Sequence, residues 1–480
     1  MAKNLRTFMR EALARDPGAI KQIDVPVEPR FGITAYAAKM AERGDYRGLF
    51  FTNVTGSRFP CLTNLMSSYD RMALALGCAI EEIPQTYGTL IQKPIPTVKV
   101  ERERAPVKDV VIREADVDLG ALPIPWHNAL DGGAYITGGC TVLRDPETGA
   151  VNVGIYRHHI FGKNEMGIWF AGSHDGGHII EVYERRGERA PFALVIGHHP
   201  AFILGAVARL PGVGGEFEAA GALLREPVEL VEAETSDLMV PAQAEFIIEG
   251  YITPGQLHRE GPFGEWPQHY LNEEDVPIMT VTAITHRRDA IFQDIIAAQR
   301  EHILTGGIPR AGSIYRAVKA VVPTVKAVNV PAHSRMHCYI SLRRRKNVDV
   351  KRAAFAALNT EPENLRAVIV VDDDIDVYDD GDVLWAIGTR FDAARDLTIV
   401  QNWSGPGGYL PSNWEYHADG DKTERTSSAI IIDATKPVPP IPYPPRTKVP
   451  DDAVNRVDLG TMTNMSATSP YLSGKVPAKV

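Results

Sequence analysis

At 480 residues the chain exceeds the ~100–200 residues of one domain, so we expect two or three domains. Hydrophobic residues make up 44% and charged residues 23%, which excludes a disordered chain. The net charge of −9 argues against nucleic acid as the main partner, because contacts to phosphate groups need a basic face.

The lack of a long apolar segment and the spacing of the cysteines indicate the cellular compartment. The chain nowhere holds ~18 uninterrupted apolar residues, so we expect no membrane partner. The cysteines at positions 61, 78, 140 and 338 lie far apart without a CxxC pair, which argues against a disulfide framework or a zinc ribbon. We therefore expect a cytoplasmic protein with reduced thiols.

The first part of the chain is predicted to be an α/β domain. Apolar residues recur at helical spacing in Leu5–Leu13 and in Tyr69–Leu76, where Ser67 and Ser68 can cap the helix. The segment Val98–Lys108 is charged and interrupted by a proline, which indicates a boundary near residues 105–110. We place this domain at residues 1–109.

Residues 110–322 are predicted to form a β-rich domain with a few helices. Short strand-like runs are separated by glycine-rich turns: Tyr135–Leu143, Val151–Tyr156, Phe192–Gly197, Ala244–Tyr251, Met279–Thr285 and Ala290–Ile296. The last two runs flank His286–Asp289, a good hairpin turn. Helices are expected near Glu181–Arg186 and Phe217–Arg225.

Strands and helices alternate from Val325 onward, which predicts a second α/β domain at residues 323–480. The predicted strands are Lys326–Val330, Met336–Leu342, Ala367–Val371, Leu397–Gln401 and Ala429–Ile432. Helices are expected at Val350–Leu358 and Val383–Ile387. The proline-rich segment Pro437–Pro450 should be an extended strap, followed by a tail that packs on another domain or subunit.

Two carboxylates and one arginine suggest acid–base chemistry. Glu260 and Glu265 are separated by Gly-Pro-Phe-Gly, which cannot continue a helix or strand and can fold both side chains inward. A nearby Arg157 could keep one carboxylate ionised while burial keeps the other protonated as a general acid. An exposed acidic loop is the alternative. Asn152 and Arg157 flank an apolar strand. Residues of these types in such positions more often form a strand-end hydrogen bond and a salt bridge than a functional site.

Asn152, His174 and Glu216 are candidate metal ligands. His174 and His178 have the spacing of one helix face, but Gly176 and Gly177 disfavour a helix, so a single histidine ligand is expected. Glu216 lies at a predicted helix N-terminus, where it could simply complement the helix dipole. Amide, imidazole and carboxylate ligands suit Mn2+ or Mg2+ better than zinc. Because no GxGxxG or Walker motif is present, a phosphorylated cofactor would be held through the metal.

Several blocks that follow one another in order resemble the UbiD family. They are His127–Thr137 (HNALDGGAYIT), Asn152–Arg157 (NVGIYR), Ser173-His174, Pro241–Gly250 (PAQAEFIIEG), Glu260–Glu265 (EGPFGE) and Val371–Asp376 followed by Trp385. The resemblance runs through most of the chain. It implies an α/β multidomain fold with a central cofactor domain similar to the split β-barrel of flavin reductases and a C-terminal oligomerisation domain.

The resemblance also implies roles for individual residues. Asn152, His174 and Glu216 would hold a Mn2+ (or Mg2+) ion that grips the phosphate of prenylated FMN, with K+ nearby. The cofactor site would further include Ile155, Tyr156, Arg157 and Ser173. Arg157, Glu260 and Glu265 would be catalytic, with Glu265 as the proton donor.

The implied activity is the reversible, non-oxidative decarboxylation of an aromatic or heteroaromatic acid, hydroxybenzoate-like by preference, through a covalent adduct with prenylated FMN. Its partners would be this acid, CO2 and a flavin prenyltransferase that supplies the cofactor, and the protein would be a homodimer or homohexamer. The alternatives are a decarboxylase of cinnamate-like acids, a non-catalytic subunit of a carboxylase complex, and a metal hydrolase. Retention of Arg157, Glu260 and Glu265 argues against a non-catalytic subunit.

Two histidines depart from the expected pattern. His159 belongs to an unusual His-His pair after Arg157, and His302 follows the predicted strand Ala290–Ile296. Each is more often a surface or buried structural residue. The functional hypothesis is that His302 or His159 contacts a phenolic group or a second carboxylate of the substrate.

Overall fold

The computed structural model describes residues 2–171, 174–210, 212–404, 410–462 and 464–465. They divide into two compact units, one that runs to Thr435 and one that begins at Lys436. Within these ranges, none of the helices is both long and apolar enough to cross a lipid bilayer.

The helices include all those predicted. They are α1 (Leu5–Arg15), α2 (Gly32–Ala41), α3 (Tyr69–Leu76), α4 (Ile83–Leu90), α5 (Asp175–Arg186), α6 (Pro200–Ala206), α7 (Glu216–Leu224), α8 (Arg300–Val321), α9 (Asp349–Thr360), α10 (Asp380–Arg390), α11 (Ala393–Asp396) and α12 (Asp451–Asn455). Of the two serines expected to cap α3, Ser68 does so, because its hydroxyl accepts a hydrogen bond from Arg71 N at 3.2 Å. Helix α8 was not predicted.

The described strands form several sheets, two of which join strands of the first predicted region to strands of the second. They are β1 (Ile20–Ile23), β2 (Gly48–Phe51), β3 (Cys61–Thr63), β4 (Val98–Lys99), β5 (Val110–Arg113), β6 (Tyr135–Ile136), β7 (Cys140–Arg144), β8 (Val151–Ile155), β9 (His158–His159), β10 (Glu165–Gly167), β11 (Ala190–Ile196), β12 (Glu229–Glu232), β13 (Met239–Pro241), β14 (Phe246–Glu260), β15 (Phe263–Gly264), β16 (Tyr270–Leu271), β17 (Glu274–His286), β18 (Phe292–Gln293), β19 (Val325–Asn329), β20 (His337–Leu342), β21 (Ala367–Asp372), β22 (Leu397–Ser404), β23 (Trp414–Tyr416), β24 (Lys422–Glu424) and β25 (Ser427–Ala434).

A seven-stranded antiparallel sheet carries most of the candidate site. Its strand order is β10-β17-β14-β11-β7-β8, with β5 beside β17. Both faces are covered, since Val195 and Ile247 pack into one hydrophobic cluster while Leu194 and Ile248 pack into another. The mixed α/β class is confirmed. The described strands form no closed barrel, so the split barrel stays a prediction.

The hairpin predicted at His286–Asp289 is wrong. Strand β17 ends at His286, but β18 pairs in parallel with β3 and completes the four-stranded sheet β1-β2-β3-β18. Phe292 of β18 is fully buried there. Burial of this aromatic ring against the N-terminal sheet outweighs the local turn preference.

A five-stranded sheet of order β19-β20-β21-β25-β22 contains the five strands predicted in the C-terminal region. Helix α9 packs on one face through Val350 and helix α10 on the other through Val383. The domain boundaries at residues 109 and 322 remain predictions. In the second unit, the segment Pro437–Pro450 contains no helix or strand and leads into α12.

Candidate active site

The loop after strand β14 buries two carboxylates. Glu260 is the last residue of β14 and has no exposed surface, while Glu265 is 7% exposed. Gly261 has a φ of 100°, a conformation that favours glycine and allows the chain to turn sharply. Phe263 is buried as well. The burial of these residues excludes the alternative of an exposed acidic loop.

The segment His127–Thr137 holds this loop in place. Asp131 Oδ1 accepts a hydrogen bond from Gly264 N at 2.8 Å, and Gly132 N donates to Pro262 O at 2.8 Å. A side chain at position 132 could not be accommodated, because a Cβ there would lie 2.1 Å from Gly261 O. Sequence reasoning did not assign a role to Asp131, although it lies within a motif that was singled out.

Arg157 joins the two carboxylates. Its Nε and Nη2 donate to Glu260 Oε1 and Oε2 at 2.9 and 2.7 Å, while Nη1 donates to Glu265 Oε1 at 3.1 Å. The guanidinium carbon lies 4.4 Å from the centre of the Trp169 ring and 4.9 Å from that of Phe263. Burial lowers the pKa of Arg157, but the two carboxylates outweigh burial and raise it overall. Arg157 is therefore a permanent cation held in one orientation.

Asn152, His174 and Glu216 lie around strand β8. Asn152 Oδ1 accepts a hydrogen bond from the Tyr156 hydroxyl at 3.1 Å, and the Tyr156 ring centre lies 5.4 Å from that of His174. Glu216 begins α7, and its Oε2 accepts from Val153 N at 3.2 Å. Burial raises the pKa of Glu216 to about 7 and lowers that of His174 to about 4.

Gly176 and Gly177, which were expected to disfavour a helix, lie within one. Helix α5 begins directly after His174, and a Cβ at Gly176 would lie 2.6 Å from the Tyr156 hydroxyl. The glycine thus allows the helix to pack closely against Tyr156, which outweighs its low helix propensity. His178 points elsewhere, since its side chain is 61% exposed and pairs with Glu181. A single histidine remains at the site.

These residues share one cavity of about 570 Å³. Of the residues singled out in the sequence, its lining includes Asn152, Ile155, Tyr156, Arg157, His174, Glu216, Glu265 and His302. Glu260 does not line the cavity and lies behind Arg157. His159 does not line it either, and its ring stacks on Tyr135 at 4.5 Å. Ser173 lies outside the described residues.

Sequence reasoning missed several cationic residues of the cavity. Arg310 and Arg209 line it, and both pair with the buried Glu361 at 3.1 Å. Arg335 also lines it and donates through Nε to Ile303 O at 3.1 Å. These side chains come from distant segments, and no local motif marks them. Unpredicted helix α8 supplies Arg310 together with His302.

No cluster of three His, Cys, Asp or Glu residues suited to a metal occurs in the described ranges. The candidate set around β8 differs from such a cluster, because one of its three donors is an amide oxygen. A neutral imidazole and a buried carboxylate beside this oxygen are ligands that a hard divalent cation accepts. The residues present therefore fit the predicted metal.

Models of one family match nearly the whole first unit. Residues 12–91 match the N-terminal domain, residues 98–300 the Rift-related domain and residues 303–423 the C-terminal domain of 3-octaprenyl-4-hydroxybenzoate carboxy-lyase, the UbiD family.

Individual relatives agree with these matches. The chain is 33% identical to an anhydromevalonate phosphate decarboxylase of Methanothermobacter thermautotrophicus, over 80% of this chain and 88% of the relative. The solved UbiD-class enzyme HmfF of Pelotomaculum thermopropionicum in complex with FMN is 35% identical, with a TM-score of 0.86 over 95% of this chain and 99% of that one. The 3,4-dihydroxybenzoic acid decarboxylase AroY of Klebsiella pneumoniae is 26% identical, with a TM-score of 0.83 over 94% and 99%. The chain therefore belongs to the UbiD family of carboxy-lyases.

Proposed function

We propose that the protein decarboxylates an aromatic or heteroaromatic carboxylic acid reversibly and without net oxidation, with prenylated FMN as its cofactor. The observation that carries this proposal is the arrangement of Arg157 between two buried carboxylates, one of which lines the same cavity as the candidate metal ligands. HmfF, which has been solved with FMN and with prenylated FMN, supports the choice of cofactor.

Asn152, His174 and Glu216 would hold Mn2+ or Mg2+, and the ion would bind the phosphate of the flavin. Ile155 and Tyr156 line the same part of the cavity and would contact the cofactor. A potassium ion near the phosphate belongs to the same proposal. When bound, prenylated FMN would withdraw electron density from the substrate carbon that carries the carboxylate.

Glu265 is the proposed proton donor. It lines the cavity and receives a single hydrogen bond from Arg157, whereas Glu260 receives two and is shielded from the cavity. Two charge-assisted bonds favour the ionised form of Glu260 and fix the plane of the guanidinium. Glu265 would then give its proton to the carbon from which CO2 has left.

We propose that the substrate carries a second anionic or phenolic group beside His302. The Nδ1 atom of His302 accepts a hydrogen bond from Ala298 N at 3.3 Å, and burial lowers the pKa of the ring. The neutral ring therefore has its proton on Nε2, which can donate to an oxygen of the substrate. Arg310 and Arg335 add positive charge to the same cavity. The relatives carry the names of different acids, so they do not support a preference for hydroxybenzoates over other aromatic acids. His159 is not part of the proposed contact, because it does not line the cavity.

The test is to express the protein in the cytoplasm together with a flavin prenyltransferase. We expect the purified protein to contain prenylated flavin, to release CO2 from an aromatic acid and to form a homodimer or homohexamer. The screen should include dicarboxylic, hydroxylated and cinnamate-like acids, with His302→Ala measured in parallel. A protein that takes up no flavin would contradict the proposal, and an unchanged KM in His302→Ala would remove His302 from the substrate site.

A further inference from the structure

Two acidic residues face each other across strands β14 and β17. Glu260 and Glu274 are Cα partners in this antiparallel pair, so their side chains lie on the same face of the sheet. Like charges in directly opposed positions are unfavourable. Arg157 neutralises Glu260, whereas Glu274 is exposed and forms no ion pair with the residues that the structure describes. The position of Glu274 therefore calls for another partner.

The indole of Trp169 is that partner. Trp169 Nε1 donates a hydrogen bond to Glu274 Oε2 at 2.7 Å. The centre of the same ring lies 4.4 Å from the guanidinium carbon of Arg157, and Trp169 N donates to Arg157 O at 3.3 Å. One pair of opposed residues thus fixes both sides of the contact. Glu260 binds the edge of the guanidinium, and Glu274 binds the ring that lies over its face.

The indole also forms the part of the cavity wall beside Arg157. Trp169 lines the cavity, whereas Glu274 does not. The Arg157 side chain is 3% exposed, and its Nη1 lies 3.1 Å from Glu265 Oε1. A ring that moved away would admit water to the guanidinium and weaken its interactions with both carboxylates, because water screens charges far more than a protein interior does. The orientation of the indole therefore affects the group that holds Glu265.

We propose that Glu274 is a positioning residue that acts on Arg157 through Trp169. This inference rests on the proposed function, in which Arg157 and Glu265 are catalytic. The Glu274 carboxylate fixes the orientation of the indole, and the indole keeps Arg157 aligned with Glu265 and shielded from water. Glu274 itself acts from outside the cavity.

The test compares Glu274→Gln with Glu274→Ala in the holoenzyme. Glutamine keeps an acceptor oxygen for the indole N–H, so kcat/KM should stay within about twofold of the wild type. Alanine removes the acceptor, and we expect kcat/KM to fall by about 3- to 10-fold, the range that corresponds to one net hydrogen bond. Both variants should retain the wild-type amount of flavin, because neither changes a proposed metal ligand.

A double-mutant cycle shows whether the effect passes through the indole. Trp169→Phe keeps an aromatic ring at the cavity but has no N–H for Glu274 to accept. Adding Glu274→Ala to Trp169→Phe should therefore lower kcat/KM no further. Glu273→Ala is the matched control, because Glu273 is the neighbouring exposed glutamate and pairs with Arg259 at 3.2 Å. It should leave kcat/KM unchanged.

Three results would overturn the inference alone. They are an active wild type with an equally active Glu274→Ala, equal losses in Glu274→Gln and Glu274→Ala, and losses that add in the double variant. A wild-type enzyme that releases CO2 from no acid would overturn the proposed function and this inference with it.

Discussion

Glu260 and Glu265 have the same side chain and both contact Arg157, but their surroundings differ. Glu260 has no exposed surface and receives two hydrogen bonds from the Arg157 guanidinium, while Glu265 receives one from it and one from Trp266 N at 3.1 Å, and lines the cavity. This asymmetry is what allows two carboxylates to take different roles beside a single cation. Sequence spacing alone predicts the pair but does not say which member faces the ligand.

Substitutions at Glu265 and Glu216 should separate proton donation from cofactor binding. We expect Glu265→Gln to retain flavin and to lose at least ~100-fold in kcat, because an amide cannot supply the proton. Glu216→Ala should lose the flavin, because one of three proposed metal ligands is gone. The flavin-to-protein absorbance ratio and the rate of CO2 release measure both effects. If Glu265→Gln lost the flavin while Glu216→Ala turned over normally, the assignment would be reversed.

At the scale of the element, helix α8 connects the cavity to the N-terminal region. Glu301, in its first turn, accepts hydrogen bonds from Asn64 N and Met66 N, both at 2.7 Å, and has no exposed surface. The next residue, His302, lines the cavity. The loop after β3 therefore fixes the start of the helix that forms one wall of the site.

Glu301→Gln should destabilise the protein. A glutamine has only one acceptor oxygen, so its NH2 group would face one of the two backbone N–H donors. We expect the free energy of unfolding to fall by about 1–3 kcal/mol, measured by denaturant unfolding. Glu11→Gln is the control, because Glu11 is exposed on α1 and should leave stability unchanged. Equal stability of the two variants would show that Glu301 does not anchor the helix.

Two elements show why sequence patterns failed locally. Strand β14 extends to Glu260, beyond the predicted end at Tyr251, because the residues around Pro254 and Gly255 form an irregularity within the strand and not a turn. Helix α8 contains Gly306, which reads as a helix breaker. A Cβ at Gly306 would lie 2.4 Å from the Arg335 guanidinium, so the glycine serves close packing. Such packing is a long-range property that no local pattern contains.

At the scale of the whole molecule, buried histidines make stability depend on pH. Burial lowers the pKa of His158 to about 4 and that of His199 to about 3. Because these groups take up protons only on unfolding, their contribution to stability is complete above pH ~6.5 and is lost as the pH falls toward the folded value, at up to ~1.4 kcal/mol per pH unit for each group. Glu301, whose pKa burial raises to about 7, has the opposite effect, since its contribution is lost as the pH rises from ~4.5 to 7.

His158→Gln isolates one of these groups. His158 Nε2 lies 2.9 Å from Thr141 Oγ1 and Nδ1 lies 3.3 Å from Ile136 O, and a glutamine can supply one donor and one acceptor there. We expect the melting temperature of the variant to fall less between pH 7 and pH 5 than that of the wild type. His178→Gln, at an exposed position, should keep the wild-type dependence. Identical pH dependence of His158→Gln and the wild type would show that protonation of His158 does not contribute to the loss of stability in acid.

The fold class and most elements were predictable because hydrophobic periodicity is local. The pairing of β18 with β3 could not be predicted in this way, because it joins residues 61 and 292, which are far apart in the sequence. The same holds for the cavity, where Arg209 and Arg310 meet at Glu361 from three separate segments. The motif residues were identified through their family resemblance, whereas their cationic neighbours required the three-dimensional structure.

Helices α4 and α8 approach each other closely at Gly88 and Gly312. A Cβ on Gly88 would lie 2.8 Å from Gly312 O, and one on Gly312 would lie 2.5 Å from the Tyr87 ring, so neither position tolerates even a methyl group without moving a helix. Helix α8 carries His302 and Arg310 at the cavity. A substitution at Gly88 or Gly312 would therefore displace α8 and reshape the cavity wall that this helix forms, although neither glycine lines the cavity.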